Sequence, residues 1–376
     1  MSFTIAVLKE TGPDERRVAM VPGLLPRLAK LGAQLRLQSG AGEAAFFADA
    51  AYTGATVVTD AVETVTGADL VLSVQAPPLE IVRAMRPGSM LAGLLYADKV
   101  SGLSEALQAG GITAFAMEKV PRISRAQSLD ALSSQAALAG YYAPLLGAVN
   151  LPRILPMMTT AVGSLRAARV LVMGLGVAGL QALATAHRLG AVTEGYDVRP
   201  ETREQAQSVG AKFVDTGIDA RGEGGYAREL TEDERAKAAQ VLTQHIQQAD
   251  LIVTTANVPG RRAPVLIDAI QIAAMKPGAV IVDLAADSGG NCEGTVPGQT
   301  TTVGTVTIVA PFNVPSLLAQ HASELYAKNL LALLDLLVRD GALAPDYDDE
   351  VIAGTLLCRG AAVAAAVSAP TANAEE

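Results

Sequence analysis

The sequence contains 376 residues, of which 50% are hydrophobic and 4% aromatic, and its formal net charge is −9. A chain of this length is expected to form about two domains, and the scarcity of aromatic side chains predicts cores built from Ala, Val, Leu and Ile. The excess of acidic residues, without any block of Lys and Arg, argues against a nucleic acid as a partner.

The cysteines and the apolar segments exclude further classes of protein. Cys292 and Cys358 show no ligand spacing, so we expect neither a disulfide framework nor a metal site. Residues 1–10 lack the basic start and apolar core of a signal peptide. The longest apolar run, 330–338, contains Asp335 and is shorter than the roughly 18 residues of a membrane span. The sequence therefore predicts a soluble chain that does not insert into a membrane.

The first half of the chain alternates short, apolar, β-branched segments with helical patterns. Strands are predicted at residues 3–8, 34–38, 55–58, 69–74, 90–95 and 112–116. A helix is predicted over 21–31, ended by Gly32. Strands separated by helices are typical of βαβ units and a parallel sheet.

The same alternation restarts in the second half, after a long helix of small residues predicted over 130–150. Strands are predicted at 169–173, 193–196, 251–254, 280–284 and 306–309, followed by a long helix over 316–338. We therefore predict an α/β protein with two Rossmann-like, doubly wound parallel sheets joined by long helices. The expected domains are 1–135 plus 325–376, and 140–320, with a partly disordered tail over 360–376.

A glycine-rich turn lies between a predicted strand and the helix that follows it. Gly174 permits a tight turn, Gly176 lets the backbone approach a pyrophosphate, and Gly179 lets helix and strand pack closely. The first N–H groups of the helix favour a negatively charged group. GxGxxG alone is a weak signal, but the strand, helix and second strand that it requires are all predicted here. The predicted binding residues of this turn are Gly174, Leu175, Gly176, Val177 and Gly179.

An acidic residue ends the next strand, 23 positions after Gly174. The carboxylate of Asp197 can accept a hydrogen bond from an adenosine ribose hydroxyl and would repel a 2′-phosphate, which favours NAD over NADP. Arg199, two residues later, weakens this preference. The loop after the strand at 251–254 should face the same crevice, because ligands bind at the carboxyl ends of the strands. The further predicted binding residues are Asp197, Val198, Arg199, Thr255, Ala256 and Asn257.

The glycine-rich turn, the two α/β domains and the segment KETGPDERRVAMVP at 9–22 together resemble the alanine dehydrogenase/transhydrogenase superfamily. Residues 121–135 resemble the nicotinamide-side loop of the NAD(H)-binding components of proton-translocating transhydrogenases. The resemblance implies that this loop positions the nicotinamide through Arg122, Gln127 and Asp130. It also implies cofactor contacts from Ile123, Ser124 and Ser133.

The residue types in this loop suit a carboxamide, which needs both donors and acceptors. Gln127 and Ser133 offer both, Asp130 offers acceptors, and Arg122 offers donors. An ordinary helix entry, with Ser128 as its cap, is the alternative interpretation. A second segment, 224–227, contains Gly225 and Tyr226 and resembles the mobile loop that covers the nucleotide in the same family. For that segment a plain exposed loop is the alternative.

An amino-acid dehydrogenase of the same superfamily is the alternative enzyme. The resemblance to alanine dehydrogenases predicts a Lys after the strand at 69–74 and a His after the strand at 90–95. In this chain those neighbourhoods read Gln75-Ala76-Pro77-Pro78 and Leu95-Tyr96-Ala97-Asp98-Lys99. Arg17 matches their carboxylate-binding arginine, and Tyr96 or Lys99 could supply acid–base chemistry, so this alternative stays open. The histidines lie outside the first domain, at His187, His245 and His321.

Direct hydride transfer between two nicotinamides needs no substrate base, only the positioning of two rings. One fingerprint predicts one nucleotide, NAD(H), in the cleft between the domains. The resemblance implies that NADP(H) is bound by a partner subunit, and that a membrane-spanning partner couples the transfer to proton translocation. It also implies a homodimer in the cytoplasm, attached to the inner membrane through those partners. An NAD-sensing regulatory module is a further alternative.

Overall fold

The computed structural model describes residues 2–221, 228–257 and 261–360. The chain forms two compact units, of which the first comprises Met1–Ala131 and Ala319–Glu376 and the second Leu132–Leu318. Residues 361–376 of the predicted disordered tail lie outside the described part of the chain.

The N-terminal part of the first unit alternates strands and short helices. Its strands are β1 (Phe3–Val7), β2 (Ala33–Gln38), β3 (Thr56–Val58), β4 (Leu70–Gln75), β5 (Met90–Leu94) and β6 (Thr113–Ala116). Its helices are α1 (Leu25–Lys30), α2 (Ala61–Val65), α3 (Leu79–Ala84) and α4 (Leu103–Ala109). The predicted strands are confirmed, with each end within about one residue, the usual uncertainty of such boundaries.

The helix predicted over 21–31 is wrong at its start. The chain first makes a 3-10 turn, Pro22–Leu24, and α1 follows it. Pro26 has no N–H to donate to the Pro22 carbonyl, so the turn is closed by the Leu25 N–H instead. Gly32 ends the helical segment, as predicted, with a φ of 83° that glycine adopts without strain.

Helix α5 (Ala131–Asn150) confirms the helix predicted over 130–150, and all of it except Ala131 belongs to the second unit. The strands that follow are β7 (Met158–Thr160), β8 (Gly163–Leu165), β9 (Arg169–Met173), β10 (Val192–Tyr196), β11 (Lys212–Phe213), β12 (Leu251–Thr254), β13 (Val280–Asp283), β14 (Thr300–Val303) and β15 (Val306–Val309). The helices between them are α6 (Val177–Arg188), α7 (Thr202–Ser208), α8 (Glu232–Gln248) and α9 (Ala269–Ala273).

The C-terminal segment returns to the first unit. The helix predicted over 316–338 begins as a 3-10 turn, Val314–Leu318, and continues as α10 (Ala319–Leu337). The remaining elements are β16 (Val338–Arg339), β17 (Ala342–Leu343), α11 (Glu350–Thr355) and β18 (Leu356–Cys358).

Both sheets are doubly wound, which confirms the predicted fold class. In the described residues the strand order is β18-β6-β5-β4-β1-β2-β3 in the first unit and β11-β10-β9-β12-β13-β15-β14 in the second. In each, the chain moves outward from the strand that starts the sheet, β1 or β9, and then crosses to that strand's other side. The carboxyl ends of β1 and β4, and of β9 and β12, therefore form the topological switch points at which such sheets bind ligands.

Each sheet also has an antiparallel edge strand that the sequence did not predict. β18 pairs with β6, and β14 pairs with β15 across the two-residue connection of Gly304 and Thr305. The polar sequence Thr-Thr-Thr-Val of β14 gives no strong apolar signal, because an edge strand is covered on one side only. The parallel strands at the centre, such as β12, are buried along their whole length. In the described residues, no helix has both the length and the apolar character that a membrane span requires.

Candidate functional site

The predicted glycine-rich turn lies at the switch point of the second unit, between β9 and α6. Gly174 has a φ of 94°, and its N–H donates to the carbonyl of Tyr196 at the end of β10, 2.8 Å away. Gly176 is the N-cap of α6, so the first N–H groups of a 12-residue helix begin immediately after it. Unpaired N–H groups at a helix start favour an anionic ligand such as a pyrophosphate.

The glycines of this turn differ in what surrounds them. A Cβ on Gly179 would overlap the carbonyl oxygen of Gly174 and lie 2.9 Å from its carbonyl carbon, so Gly179 is required for the close approach of α6 to the turn. A Cβ on Gly176 would meet no atom within 4 Å. The described part of the fold therefore does not explain a glycine at position 176, whereas a ligand approaching the backbone there would require one.

Asp197 lies directly beside this turn, at the carboxyl end of β10. Its Oδ2 accepts a hydrogen bond from the main-chain N–H of Leu175, 2.7 Å away. Arg199 donates to both carboxylate oxygens, from Nε at 2.9 Å and from Nη2 at 2.8 Å. The structure thus brings the predicted acid and the predicted turn together. Arg199 occupies positions where ribose hydroxyls would bind Asp197, so its side chain has to move for such contacts.

The loop after β12 approaches the same turn, as its position at the switch point predicted. Thr255 Oγ1 donates to the carbonyl of Gly174 at 2.8 Å. The Ala256 nitrogen lies 2.9 Å from where a Cβ on Gly174 would be. Thr255 and Ala256 therefore form the wall of the turn on the β12 side, and Asn257 follows them as an exposed residue.

The residues that support this wall were not predicted from the sequence. Asn291, fully buried, accepts from the Ala256 N–H at 3.0 Å and donates to the Ala256 carbonyl at 2.8 Å. Asp283, the last residue of β13, accepts from the Asn291 N–H at 2.7 Å. An acid at the end of an apolar strand, followed by Gly289-Gly290-Asn291, was the available signal.

Of the predicted nicotinamide-side residues, Ser124 and Gln127 lie on a 3-10 helix of the first unit that spans Ser124–Leu129, and Asp130 is its C-cap. With three residues per turn, Ser124, Gln127 and Asp130 fall on one edge, and Ala126 and Leu129 share another. Ala126 and Leu129 are buried, whereas Ser124 and Gln127 are exposed. The local geometry thus presents the polar groups of this segment while its apolar groups anchor it.

Residues of the C-terminal helices α10 and α11 form hydrogen bonds with this segment. Asn329 of α10 donates from Nδ2 to the Ser128 carbonyl at 2.8 Å. Arg125 pairs with Asp349, the N-cap of α11, through two hydrogen bonds of 2.7 and 3.2 Å. Arg122 is exposed and Ile123 half-buried before the segment, and Ser133 is half-buried in the first turn of α5.

The switch point of the first unit contains a buried cluster of polar side chains. Glu15 accepts from Arg17 Nε at 2.8 Å and from Arg17 Nη2 at 2.6 Å. Gln75, the last residue of β4, donates from Nε2 to Glu15 at 2.8 Å. The carboxylate-binding face of the Arg17 guanidinium is therefore occupied by a carboxylate of the chain itself.

Glu10 belongs to the same cluster. Its carboxyl group accepts from the main-chain N–H groups of Val74 and Gln75, at 2.6 and 3.2 Å. Burial raises the pKa of Glu10 to about 7, against the lowering effect of these hydrogen bonds. After β5, Lys99 Nζ lies 5.3 Å from the ring centroid of Tyr96, so these two alternative acid–base candidates contact each other.

Gly225 and Tyr226 lie outside the described residues, and the prediction made for their loop stays untested. His245 pairs with Glu194 through Nδ1 at 2.9 Å, and His187 and His321 are exposed. Among residues 2–221, 228–257 and 261–360, no group of three His, Cys, Asp or Glu side chains is arranged to hold a metal ion.

Comparison with known proteins identifies the family of a chain with these two units. The model of the alanine dehydrogenase/PNT N-terminal domain matches residues 6–139, and that of the C-terminal domain matches residues 143–366. The chain belongs to the alanine dehydrogenase/PNT family. The resemblance to this superfamily, inferred from the turn, the two α/β domains and residues 9–22, is thereby confirmed.

Within this family the chain is similar to transhydrogenases over nearly its whole length. It is 44% identical to a Rhodospirillum rubrum protein named as the first portion of NAD(P) transhydrogenase subunit alpha, with 96% of this chain and 97% of the relative covered. A crystal structure of transhydrogenase from Sinorhizobium meliloti matches with a TM-score of 0.86 and 42% identity, covering 95% of this chain and 99% of that one. Alanine dehydrogenase of Mycobacterium tuberculosis is 30% identical, with 78% of this chain and 75% of the relative covered.

Proposed function

We propose that this chain is the NAD(H)-binding component of a transhydrogenase. It positions NAD(H) for direct hydride exchange with NADP(H) bound by a partner subunit. The similarity to NAD(P) transhydrogenase alpha subunits supports the reaction class. The residues of this chain support two roles for it, the binding of NAD(H) and the positioning of the nicotinamide.

The binding of a dinucleotide is supported by the open space at Gly176, at the start of α6 and beside Asp197. The residues that would bind the pyrophosphate are the main-chain N–H groups of the turn, and Asp197 would accept from the adenosine ribose. A carboxylate at this position disfavours a 2′-phosphate, which supports NAD(H) over NADP(H). When bound, NADH supplies the hydride and NAD+ accepts it.

Gln75 is the observation that carries the choice of a transhydrogenase over an amino-acid dehydrogenase. Oxidation of an amino acid requires a group that takes a proton from the substrate. The amide of Gln75 does not titrate, and it is already bonded to Glu15, which in turn binds Arg17. Hydride exchange between two nicotinamides needs no such base, so an amide at position 75 is compatible with the proposed reaction.

The exposed edge of the segment Ser124–Leu129 supports a positioning role for Gln127 and Asp130. We propose that these side chains, with Arg122, Ile123, Ser124 and Ser133, bind the nicotinamide end. Their donors and acceptors orient the carboxamide, and ring orientation controls the rate of direct transfer. The nearby anchors at Asn329 and Asp349 keep the segment in place before the nucleotide binds.

The partners in this proposal are an NADP(H)-binding subunit and a membrane-spanning subunit that couples the transfer to proton translocation. The name of the Rhodospirillum rubrum relative, which makes it one portion of an alpha subunit, supports the existence of further subunits. The chain would then be cytoplasmic and peripheral to the inner membrane through these partners.

A homodimer is also part of the proposal. The hairpin of β7 and β8 exposes apolar side chains, with Val162 99% and Leu165 54% exposed. Adjacent to it in the sequence, Met157 is 70% exposed. Exposed apolar groups on one projecting element favour association with another protein surface. Sedimentation of Val162→Asp as a monomer, where the unsubstituted chain sediments as a dimer, would support this interface, and an unchanged dimer would exclude it.

The test is hydride transfer from NADH to an oxidised NADP analogue in a mixture of this chain with a transhydrogenase NADP(H)-binding domain. We expect transfer in the mixture, none with either protein alone, and no NADH formation from NAD+ and L-alanine. Alanine-dependent NADH formation by the chain alone would identify an amino-acid dehydrogenase. NADH binding without transfer in the mixture would identify an NAD-sensing module instead.

A further inference from the structure

We infer that Asn291 is a positioning residue of the nucleotide site, because it fixes the main chain of Ala256 beside the Gly174 turn. The inference rests on the proposed binding of NAD(H) by the second unit. It assigns a role to a buried residue far along the chain from the glycine-rich turn.

The side-chain amide of Asn291 is used entirely on main-chain groups of the β12 loop. Oδ1 accepts from the Ala256 N–H at 3.0 Å. Nδ2 donates to the carbonyls of Ala256 and Pro264, at 2.8 Å each. A carboxamide is suited to this arrangement, because one side chain must accept from and donate to the same residue.

Asn291 is itself fixed by its neighbours. Its main-chain N–H donates to Asp283 Oδ2 at 2.7 Å, and its carbonyl accepts from the N–H groups of Leu266 and Ile267 at 2.7 and 3.1 Å. Asp283 also accepts from Thr254 Oγ1 at 3.0 Å and from Thr295 Oγ1 at 2.7 Å. Asn291 thus connects the end of β13, through its main-chain N–H, to the loop after β12, through its side-chain amide.

Ala256 is the point at which this support reaches the nucleotide site. Its nitrogen lies 2.9 Å from where a Cβ on Gly174 would be, and the hydroxyl of the preceding Thr255 donates to the Gly174 carbonyl at 2.8 Å. Loss of the Asn291 amide would leave the N–H and carbonyl of Ala256 without these partners. The main chain would then relax to find others, which displaces the wall of the turn.

The dinucleotide spans more of this wall than a mononucleotide does. Asp197 and the start of α6 serve the adenosine half, at β10 and β9, whereas Ala256 lies on the β12 side of the switch point. A displaced Ala256 should therefore weaken NADH binding while leaving 5′-AMP binding nearly intact. A variant that only lowered the overall stability of the chain would weaken the binding of both ligands alike.

The experiment compares dissociation constants for NADH and 5′-AMP by calorimetry, in the full chain and in Asn291→Asp. This variant keeps the shape and the acceptor for the Ala256 N–H but loses both donations. We expect the Kd of NADH to rise by about tenfold or more, the scale of a lost buried hydrogen bond. The Kd of 5′-AMP should change by less than about twofold, which corresponds to under about 0.5 kcal/mol. Asn291→Ser, smaller and uncharged, is the second variant should Asn291→Asp fail to fold.

Gln271→Leu is the matched control. Gln271 is also a buried amide of the second unit, and it bonds Thr243 and the N-cap residue Asp268 of α9 rather than the β12 loop. It should lower thermal stability and leave both dissociation constants unchanged. Equal weakening of NADH and 5′-AMP, or unchanged NADH binding in both Asn291 variants, would overturn the inference. The inference would also be overturned if Gln271→Leu weakened NADH binding and left 5′-AMP binding unchanged.

This outcome is separable from that of the proposed function. An unsubstituted chain that binds NADH but transfers no hydride with the partner domain fails the proposed function and leaves the role of Asn291 standing. If the unsubstituted chain transfers hydride but the Asn291 variants do not weaken NADH binding selectively, only the role of Asn291 is excluded. A chain that binds no NADH overturns both.

Discussion

Gly176→Ala separates the requirement of the fold from the requirement of the ligand. The backbone at this position, with φ −76° and ψ −165°, is open to any residue. A Cβ there would meet no atom within 4 Å, so the substitution should not destabilise the chain. Alanine restricts the unfolded chain more than glycine does, which adds about 0.4–1 kcal/mol to the free energy of unfolding, and the poorer preference for alanine at the N-cap of α6 offsets about as much. The net change in stability should therefore be small. The same Cβ projects from the N-cap of α6, where the pyrophosphate is proposed to bind.

Gly179→Ala provides the opposite case in the same turn. Its Cβ would overlap the Gly174 carbonyl oxygen, which is backbone and has no flexible side chain to yield. Overpacking of this kind lowers the free energy of unfolding by about 1–3 kcal/mol. Gly23→Ala is the neutral control, because a Cβ on Gly23 also meets no atom within 4 Å and Gly23 belongs to the first unit rather than to the unit that carries the turn.

Urea unfolding gives the stabilities, and NADH fluorescence titration gives the dissociation constants. We expect Gly176→Ala to be about as stable as the unsubstituted chain but to bind NADH at least about tenfold more weakly, a loss of about 1.4 kcal/mol. Gly179→Ala should lose stability, and Gly23→Ala should leave NADH binding unchanged. Unchanged NADH affinity in a stable Gly176→Ala protein would refute the assignment of the helix start as the pyrophosphate site.

Three further predictions concern side chains of both units. Burial raises the pKa of Glu10 from its ordinary 4.5 to about 7, so the stabilising contribution of Glu10 is complete below pH 4.5 and is lost as the pH rises through 7. In urea unfolding, the stability of Glu10→Gln relative to the unsubstituted chain should therefore rise by about 3 kcal/mol between about pH 4 and pH 8. A stability difference that stays constant with pH would contradict the shift. Asp197→Asn keeps an acceptor for the Leu175 N–H but removes the charge. In calorimetric titrations, NADH binding should weaken by about 1–3 kcal/mol relative to NADPH binding. An unchanged ratio of the two dissociation constants would show that Asp197 does not belong to the site. Gln127→Asn should slow hydride transfer in stopped-flow experiments more than it weakens NADH binding, and equal losses would count against a positioning role.

Much of the fold was predictable because its signals are local. Buried parallel strands are continuous apolar runs, so β9, β12 and β15 were found with the bounds that the structure has. The edge strand β14 was missed because its sequence, Thr-Thr-Thr-Val, is polar. The edge strand β18 is apolar, but it is only three residues long and follows α11 directly. The 3-10 starts of two helices were missed because their apolar periodicity continues unbroken into the α-helix.

The two α/β repeats, the glycine-rich turn, Asp197 and the segment around Gln127 could all be recognised in the amino-acid sequence. The turn and the individual strands and helices depend on neighbouring residues, for which spacing along the chain reflects proximity in space. The segment around Gln127 was recognised through its resemblance to a known family. The folded chain was needed to show that Asn291 supports Ala256, 35 positions earlier, and that Gln75 and Arg17 share Glu15, which lies 60 positions before Gln75. Such pairs form where the ends of neighbouring strands meet. Their side chains become partners because most buried polar groups are hydrogen-bonded, and no local pattern specifies which distant residue provides the partner.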